Sequence, residues 1–448
     1  MHCMKQSFDQ PQSLLQWIPS LFSHSLPSLP TQYSSSSPLL FPSQHLSQGS
    51  LKLSCCLAVD RENHSPPTRI GDDLRIMFAA GGTGGHIYPA VAIADELKTI
   101  NPSIQVLFVG TKHGMESTAI PSAGYDFVSI PAVPLTRPLF SLQNLLLPFR
   151  LFKYVVQCRK VVNDFDPQVV FGTGGYVSLP VCLAAALNGL KLVIQEQNSM
   201  PGIANRILSL FADLIFVAFN SSLEYFPKHK CIVSGNPVRL SLRHYASKAV
   251  ARSHLFPKAA KKAGDSEAKV VLVLGGSFGA NAINIALLNI YYQMLQEHKN
   301  MFIIWQTGVQ AFDEMESLVR DHPRLLLSSF LHSMDLAYAA ADLVVSRAGA
   351  MTCSEILATG KPSILIPSPN VAEGHQTKNA FIMADIAGSK VITEDELDST
   401  TLAIAIEEIL GNESLMAEMS DKAMKAARPG ASVEIAQHIL SLVKLLTV

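Results

Sequence analysis

Leu74-Arg75-Ile76-Met77-Phe78-Ala79-Ala80-Gly81-Gly82-Thr83-Gly84-Gly85-His86 runs from a short apolar stretch straight into a cluster of glycines. A strand that turns through Gly-Gly-x-Gly-Gly into a helix lets the backbone approach a ligand closely. It also aims free N–H groups and the positive helix end at whatever sits there, so anions are the expected guests. The second half of the chain opens the same way, with Val270-Val271-Leu272-Val273-Leu274-Gly275-Gly276-Ser277-Phe278-Gly279-Ala280. Two further turns, Phe171-Gly172-Thr173-Gly174-Gly175-Tyr176 and Ser346-Arg347-Ala348-Gly349-Ala350, also end strands. One such turn can mark only tight strand–helix packing. Four at strand carboxyl ends, where open α/β sheets place ligands, are a stronger signal. Neither opening loop carries the dinucleotide fingerprint with its acidic partner, and neither reads G-x-x-x-x-G-K-[ST], so hydride transfer and P-loop chemistry lack their usual marks.

Around these turns, short β-branched apolar runs alternate with longer helical periods, the pattern of βαβ units on a parallel sheet. The expected strands are 75–80, 105–109, 169–172, 192–195 and 214–218, then 269–274, 302–306, 325–328, 343–346 and 363–366. Tyr245 to Lys269 is rich in Lys and Ala, loses strand character and reads as a linker or surface insertion. The fold class is α/β, with two Rossmann-like parallel-sheet domains facing a cleft. Asp164-Phe165-Asp166 spells a D-x-D, but it falls just before Pro167 between a helix and a strand, where Asp commonly ends a helix, and it reads as a turn.

Ahead of residue 74 the character changes. From Gln10 to Val59 there is no Asp or Glu, serines abound and prolines interrupt any period, so no core can form there. Residues 1–73 read as a plastid transit peptide, Arg favouring mitochondria being almost absent; an ordinary disordered tail is the alternative. The chain of 448 residues leaves room for two or three domains of roughly 100–200 residues each. Lys and Arg number 35 against 36 Asp and Glu, so no basic excess exists to neutralise a nucleic-acid backbone. Mean hydropathy is high at +0.24, yet no apolar run reaches the ~18–20 residues that cross a bilayer. A soluble chain, or one resting on a membrane face, is expected. Seven cysteines without a C-x-x-C support neither a disulfide framework nor a zinc site.

Gly81-Gly82-Thr83-Gly84-Gly85-His86, Gly174-Gly175-Tyr176-Val177-Ser178, Gln195-Glu196-Gln197-Asn198, Gly235-Asn236-Pro237-Val238-Arg239, Gly275 to Ala280 and Ser346 to Glu355 follow one another as the motifs of the MurG family do. The chain resembles that family, glycosyltransferase family 28, over about 370 residues of continuous order. The resemblance implies a GT-B fold and an inverting transfer of N-acetylglucosamine from UDP-GlcNAc to the muramoyl-pentapeptide of a polyprenyl-diphosphate lipid, with no metal or other cofactor. It implies an acceptor- and membrane-binding domain over 74–238, a UDP-sugar domain over 239–430 and a C-terminal helix, 431–448, packing back on the first domain.

Residue roles follow from the same resemblance. Ser277, with Ala350, Met351, Thr352, Cys353 and Ser354 at the later helix start, matches the diphosphate contacts, and Arg239 would pair with the charge of the departing UDP. Glu355 matches the carboxylate that holds the ribose hydroxyls, the Leu331 backbone the position that reads uracil, and Gln376 the side chain on the sugar hydroxyls. Thr83, Gly84, Gly85 and Asn198 match contacts from the facing wall. His86 is the candidate base, because a helix start lowers its pKa and keeps it neutral. A structural or phosphate-binding histidine is the other reading, and Glu196 either serves as base instead or orients Asn198.

Leu135 to Lys160 carries Leu, Phe and basic residues without a carboxylate, the composition of an interfacial segment. A core helix with a basic outer face is the alternative. Together with the leader this gives an expected place on the stromal face of the inner envelope or thylakoid membrane. Gln195 stands where many relatives have His, Leu179 where Gly is frequent, and Phe278 where Gln is. Rivals are a galactolipid-type synthase using UDP-galactose and diacylglycerol, and a non-catalytic UDP-sugar-binding subunit.

Overall fold

The computed structural model describes residues 74–132, 134, 142–243, 246–371 and 374–444. The expected leader, residues 1–73, and the opening of the interfacial segment, residues 135–141, lie outside them.

The first sheet holds β1 (Arg75–Ala79), β2 (Gln105–Gly110), β3 (Asp126–Ser129), β4 (Val169–Gly172), β5 (Lys191–Glu196), β6 (Leu214–Val217) and β7 (Cys231–Val233). Their order is β3-β2-β1-β4-β5-β6-β7 and every pairing is parallel. The second sheet holds β8 (Lys269–Leu274), β9 (Met301–Gln306), β10 (Leu325–Ser328), β11 (Leu343–Ser346), β12 (Ser363–Leu365) and β13 (Lys390–Val391), again all parallel, in the order β10-β9-β8-β11-β12-β13. Parallel strands need covering on both faces, and this shows in the side chains. Val271 and Val273 enter one core cluster while Val270, Leu272 and Leu274 enter another; Met77 and Ala79 part from Ile76 and Phe78 in the same way.

Each sheet reverses its strand order once, between β1 and β4 and between β8 and β11. Ligands of open parallel sheets bind outside the strand carboxyl ends at that reversal. All four glycine turns lie there, at the ends of β1, β4, β8 and β11. This places them as the sequence pattern implied.

Two expectations need correcting. Of the stretch from Tyr245 to Lys269, residues 246–269 are described and are no surface insertion: they carry the helix Lys248–Leu255, and Ala251, Phe256, Ala263 and Ala268 enter the core. Arg252, buried, donates to Asp342 Oδ2 at 2.5 Å, Ala340 O at 2.9 Å and Ala268 O at 3.0 Å, while Asp342 also accepts the Val270 N–H at 2.7 Å. The basic side chain therefore ties this layer to the start of β8. Strands β3, β7 and β13 were not expected either; β3 and β7 are the edges of the first sheet and β13 an edge of the second, and each is short.

Asp164-Phe165-Asp166 is a helix end. The helix Leu147–Phe165 stops at Asp166, which has φ 49°, gives its N–H to Val162 O at 2.8 Å and accepts from Arg75 at 2.7 Å. The final helix, Ala431–Lys444, returns to the first sheet, where Ile435, Ala436 and Ile439 share a core cluster with Ile87, Ala90, Ile93 and Leu97 of the helix Gly84–Ile100.

Candidate active site

The β1 turn is built around a carboxylate. Glu116, fully buried, accepts from the Gly82 N–H at 3.0 Å, the Thr111 N–H at 2.8 Å and the Thr111 hydroxyl at 2.5 Å. A Cβ on Gly81 would come within 2.6 Å of that carboxylate, so contact requires glycine there, while Gly82 has φ 89°. Neither Glu116 nor Thr111 stood out in the sequence; the only signal was Gly110-Thr111 directly after a strand.

His86 is the third residue of the helix Gly84–Ile100. Its Nδ1 lies 3.1 Å from Gln197 Oε1. Burial pushes its pKa below the ordinary 6.5, against the smaller opposing effects of Gln197, the Thr173 carbonyl and Glu116. A Cβ on Gly175 would sit 3.3 Å from His86 Nε2, so the β4 turn leaves that nitrogen its space. Glu196 is differently placed. Its Oε1 accepts from the Asn198 N–H at 3.0 Å and Nδ2 at 3.3 Å, and its Oε2 from the Gly202 N–H at 3.2 Å and Asn205 Nδ2 at 2.9 Å. With both oxygens doubly engaged, it holds the 198–205 loop and orients Asn198. Burial raises its pKa all the same.

The facing wall comes from the second sheet. A Cβ on Gly84 would lie 3.5 Å from Ser277 Oγ, so the β1 and β8 turns look at each other across the cleft, with Thr83 exposed and Gly85 half-buried beside them. The helix Ala350–Thr359 starts at the end of β11, and a helix's first N–H groups have no partner within it. Here the Cys353 N–H is the first to bond back, to Gly349 O at 2.9 Å, which leaves Ala350, Met351 and Thr352 to face an anion. The side chains of Cys353 and Ser354 are otherwise engaged. The Cys353 thiol is buried in the core, which pushes its pKa up to about 12; Ser354 Oγ donates to Ala350 O and accepts from Asn236, on the side joining the domains. Their side chains are thus engaged with the core and with Asn236, so any contact they make with the diphosphate comes from the backbone.

Glu355 accepts from Tyr338 OH at 3.1 Å, and its Oε1 lies 3.8 Å from Arg239 Nε. Burial raises the Glu355 pKa, opposed by Arg239 and Tyr338. The Arg239 guanidinium stacks on the Tyr88 ring at 3.7 Å, and its Nε is buried without a hydrogen-bond partner. Leu331 follows β10 with its side chain in the core, so only its backbone is available to a base. Gln376 Oε1 accepts the Ser368 N–H at 2.9 Å, at the start of the helix His375–Ala387.

Beside His86 opens a cavity of about 460 Å³ whose walls include Tyr154, Tyr176, Leu179, Asn198, Asn205 and Ile207. The helix Leu147–Phe165 forms one flank. Val155, Cys158 and Val162 face the core, whereas Phe149 and Phe152 are 76% and 73% exposed, among Arg150, Lys153, Arg159 and Lys160. One face of this helix is core, and another is exposed and apolar. No helix among the described residues is long and apolar enough to cross a membrane.

Two Rossmann sheets facing a cleft, glycine turns at both reversals and an arginine between the walls define the GT-B class of glycosyltransferase. Residues 76–217 match the glycosyltransferase family 28 N-terminal domain and residues 270–435 the glycosyltransferase family 28 C-terminal domain. The chain belongs to glycosyltransferase family 28. It is 41% identical over 367 residues to the UDP-N-acetylglucosamine--N-acetylmuramyl-(pentapeptide) pyrophosphoryl-undecaprenol N-acetylglucosamine transferase of Salinibacter ruber, covering 82% of this chain and 96% of that protein. It is 40% identical over 376 residues to the protein of the same name from Caldanaerobacter subterraneus, covering 82% of this chain and all of that one. Among solved structures, Acinetobacter baumannii MurG superposes with TM-score 0.61 at 28% identity, over 82% of this chain and 99% of its own. The Staphylococcus aureus MnaA–UDP structure, at TM-score 0.60 and 15% identity over 84% and 98%, shares the fold alone.

Proposed function

We propose that this protein transfers N-acetylglucosamine from UDP-N-acetylglucosamine to the 4-hydroxyl of an N-acetylmuramoyl-pentapeptide carried on a polyprenyl diphosphate. Relatives named for that reaction align over nearly their whole length. The observation that carries the reading in this chain is His86, kept neutral by burial on the wall between the apolar cavity and the β8 and β11 turns. Its Nε2 takes the proton of the acceptor hydroxyl as that oxygen bonds to the anomeric carbon from the side opposite the diphosphate. The anomeric carbon's bond to UDP breaks, with inversion. The departing charge falls on Arg239, Ser277 and the free N–H groups of Ala350, Met351 and Thr352, fixed dipoles and a cation that need not reorganise. Glu355 receives the ribose hydroxyls through Oε1, the Leu331 backbone the uracil edge, and Gln376 with Asn198 the sugar hydroxyls.

The lipid-linked acceptor enters through the cavity flanked by the helix Leu147–Phe165. Its exposed Phe149 and Phe152, with the basic residues around them, rest on an anionic membrane surface. The serine-rich leader ahead of residue 74, without Asp or Glu from Gln10 to Val59, supports delivery to a plastid, with the enzyme peripheral on the stromal side of the inner envelope or the thylakoid. A donor-by-acceptor activity panel tests the reaction. Transfer from UDP-GlcNAc to a muramoyl-pentapeptide lipid, and not from UDP-galactose to diacylglycerol, is expected. The reverse preference, or donor binding with no turnover on any acceptor, would overturn it.

A further inference from the structure

A chain of buried amides runs from His86 across the domain junction, and its polarity is fixed at both ends. Gln197 Nε2 lies 3.0 Å from the Thr173 carbonyl, 3.3 Å from the Gln195 carbonyl and 2.5 Å from Gln195 Oε1. Carbonyl oxygens only accept, so this corner of the side chain must be the NH2 group, and Oε1 is what faces His86 Nδ1. At the far end, Asn236 Nδ2 points at the Gln197 carbonyl at 3.0 Å and at Ser354 Oγ at 3.0 Å. Asn236 must then present Oδ1 to Gln195, which donates to it through Nε2 at 2.9 Å. Ser354 passes the direction on by donating to Ala350 O at 2.9 Å. Gln195, Gln197 and Asn236 are all buried, so water does not compete for these bonds.

An amide oxygen cannot donate, so its neighbour must: Nδ1 of His86 carries the ring proton, and in a neutral imidazole that leaves the lone pair on Nε2. Nε2 is the nitrogen next to the Gly175 space, and Gly175 lines the cavity. We propose that Gln197 is the positioning residue that fixes His86 as its Nδ1–H tautomer, and that Gln195 and Asn236 lock Gln197 in the orientation this requires, linking the base to the first turn of the helix Ala350–Thr359. The proposal deepens the reading of His86 as the base and rests on it for its catalytic consequence, though the tautomer itself is observable without substrate. The titratable groups around the ring are Glu116 behind the β1 turn and Glu196, Tyr154, Tyr176 and His375 on the cavity walls.

The test is 15N NMR of the full-length protein labelled at histidine, with His86 assigned by His86→Gln, and steady-state kinetics alongside. The expected spectrum has His86 Nδ1 protonated and Nε2 unprotonated above the titration range. Gln197→Leu should mix the tautomers and lower kcat about tenfold or more, with the UDP-GlcNAc KM within about twofold. Gln197→Glu should shift the acid limb of kcat/KM to higher pH, because a carboxylate favours the imidazolium. An Nε2–H tautomer in the wild type, or Gln197→Leu with unaltered kcat and pH profile, would overturn the proposal. Should His86→Ala keep full transfer activity, the base reading fails while the NMR result still decides the tautomer.

Discussion

Arg239 and His86 do opposite electrostatic work, and each does it through its neighbours. Arg239 is held flat on Tyr88 and faces Glu355, so its planar guanidinium is pre-set rather than free to search. Arg239→Ala is expected to lower kcat by about 10²–10³-fold, the usual loss for one preorganised donor to a developing anion, with lysine restoring only part of it. His86 acts only when neutral, and its pKa lies below 6.5. kcat/KM should therefore be level above pH 6.5 and fall as the pH drops through the depressed His86 value; an acid limb centred well above 6.5 would show a different group titrating. His86→Ala should cost about 10²–10⁴-fold in kcat with donor affinity unchanged in calorimetry. At this scale the sequence conveyed residue types and order but not direction. His86 and Glu355 stood out, yet only the fold reveals that the Cys353 side chain is in the core, that the Ser354 hydroxyl is held by Asn236, and that all of Glu196's oxygen capacity is spent on its own loop. Tyr88 and Tyr338 carry no motif at all.

The four strand–turn–helix units were legible because a buried parallel strand is a continuous apolar run and its glycines punctuate it. Edge strands such as β3 and β13 lack that run, being partly exposed and short, and they went unread. So did the support under the β1 turn. Glu116→Ala would leave the half-buried Gly82 and Thr111 N–H groups without this partner, a cost towards the lower end of the about 1–3 kcal/mol of a fully buried group. A lower urea midpoint and a raised donor KM are the expected readouts. The helix Leu147–Phe165 shows how one element serves two surfaces, since its core face and its exposed Phe149 and Phe152 share a single helical period. Replacing both phenylalanines by serine should sharply reduce flotation with anionic liposomes while leaving the melting temperature nearly unchanged; equal partitioning would reject the membrane role.

Across the whole molecule, the two sheets are joined by polar side chains as much as by apolar packing. Asn379 Oδ1 accepts from the Ser199 hydroxyl at 2.7 Å and its Nδ2 donates to Ala348 O at 3.1 Å, and Asn236 makes a second link, to Ser354 Oγ at 3.0 Å. Such bonds fix how the acceptor wall meets the donor wall, which is what an in-line displacement demands. The helix Ala431–Lys444 completes the first core from the end of the chain, so truncation after Gly430, which removes Ile435 and Ile439, should expose Ile87, Ile93 and Leu97 and yield aggregating protein. The doubling of the α/β unit was readable from the repeated strand–glycine openings, whereas the domain-bridging amides were not, because contacts across nearly 200 residues leave no local period. The most direct measurement is transfer of radiolabelled N-acetylglucosamine from its UDP donor to a short-chain polyprenyl-diphosphate muramoyl-pentapeptide by the full-length protein, with product linkage read by NMR. The account predicts a β-1,4-linked disaccharide lipid formed by the wild type and lost with His86→Ala. Disaccharide of retained configuration, or no product at saturating donor and acceptor, would contradict it.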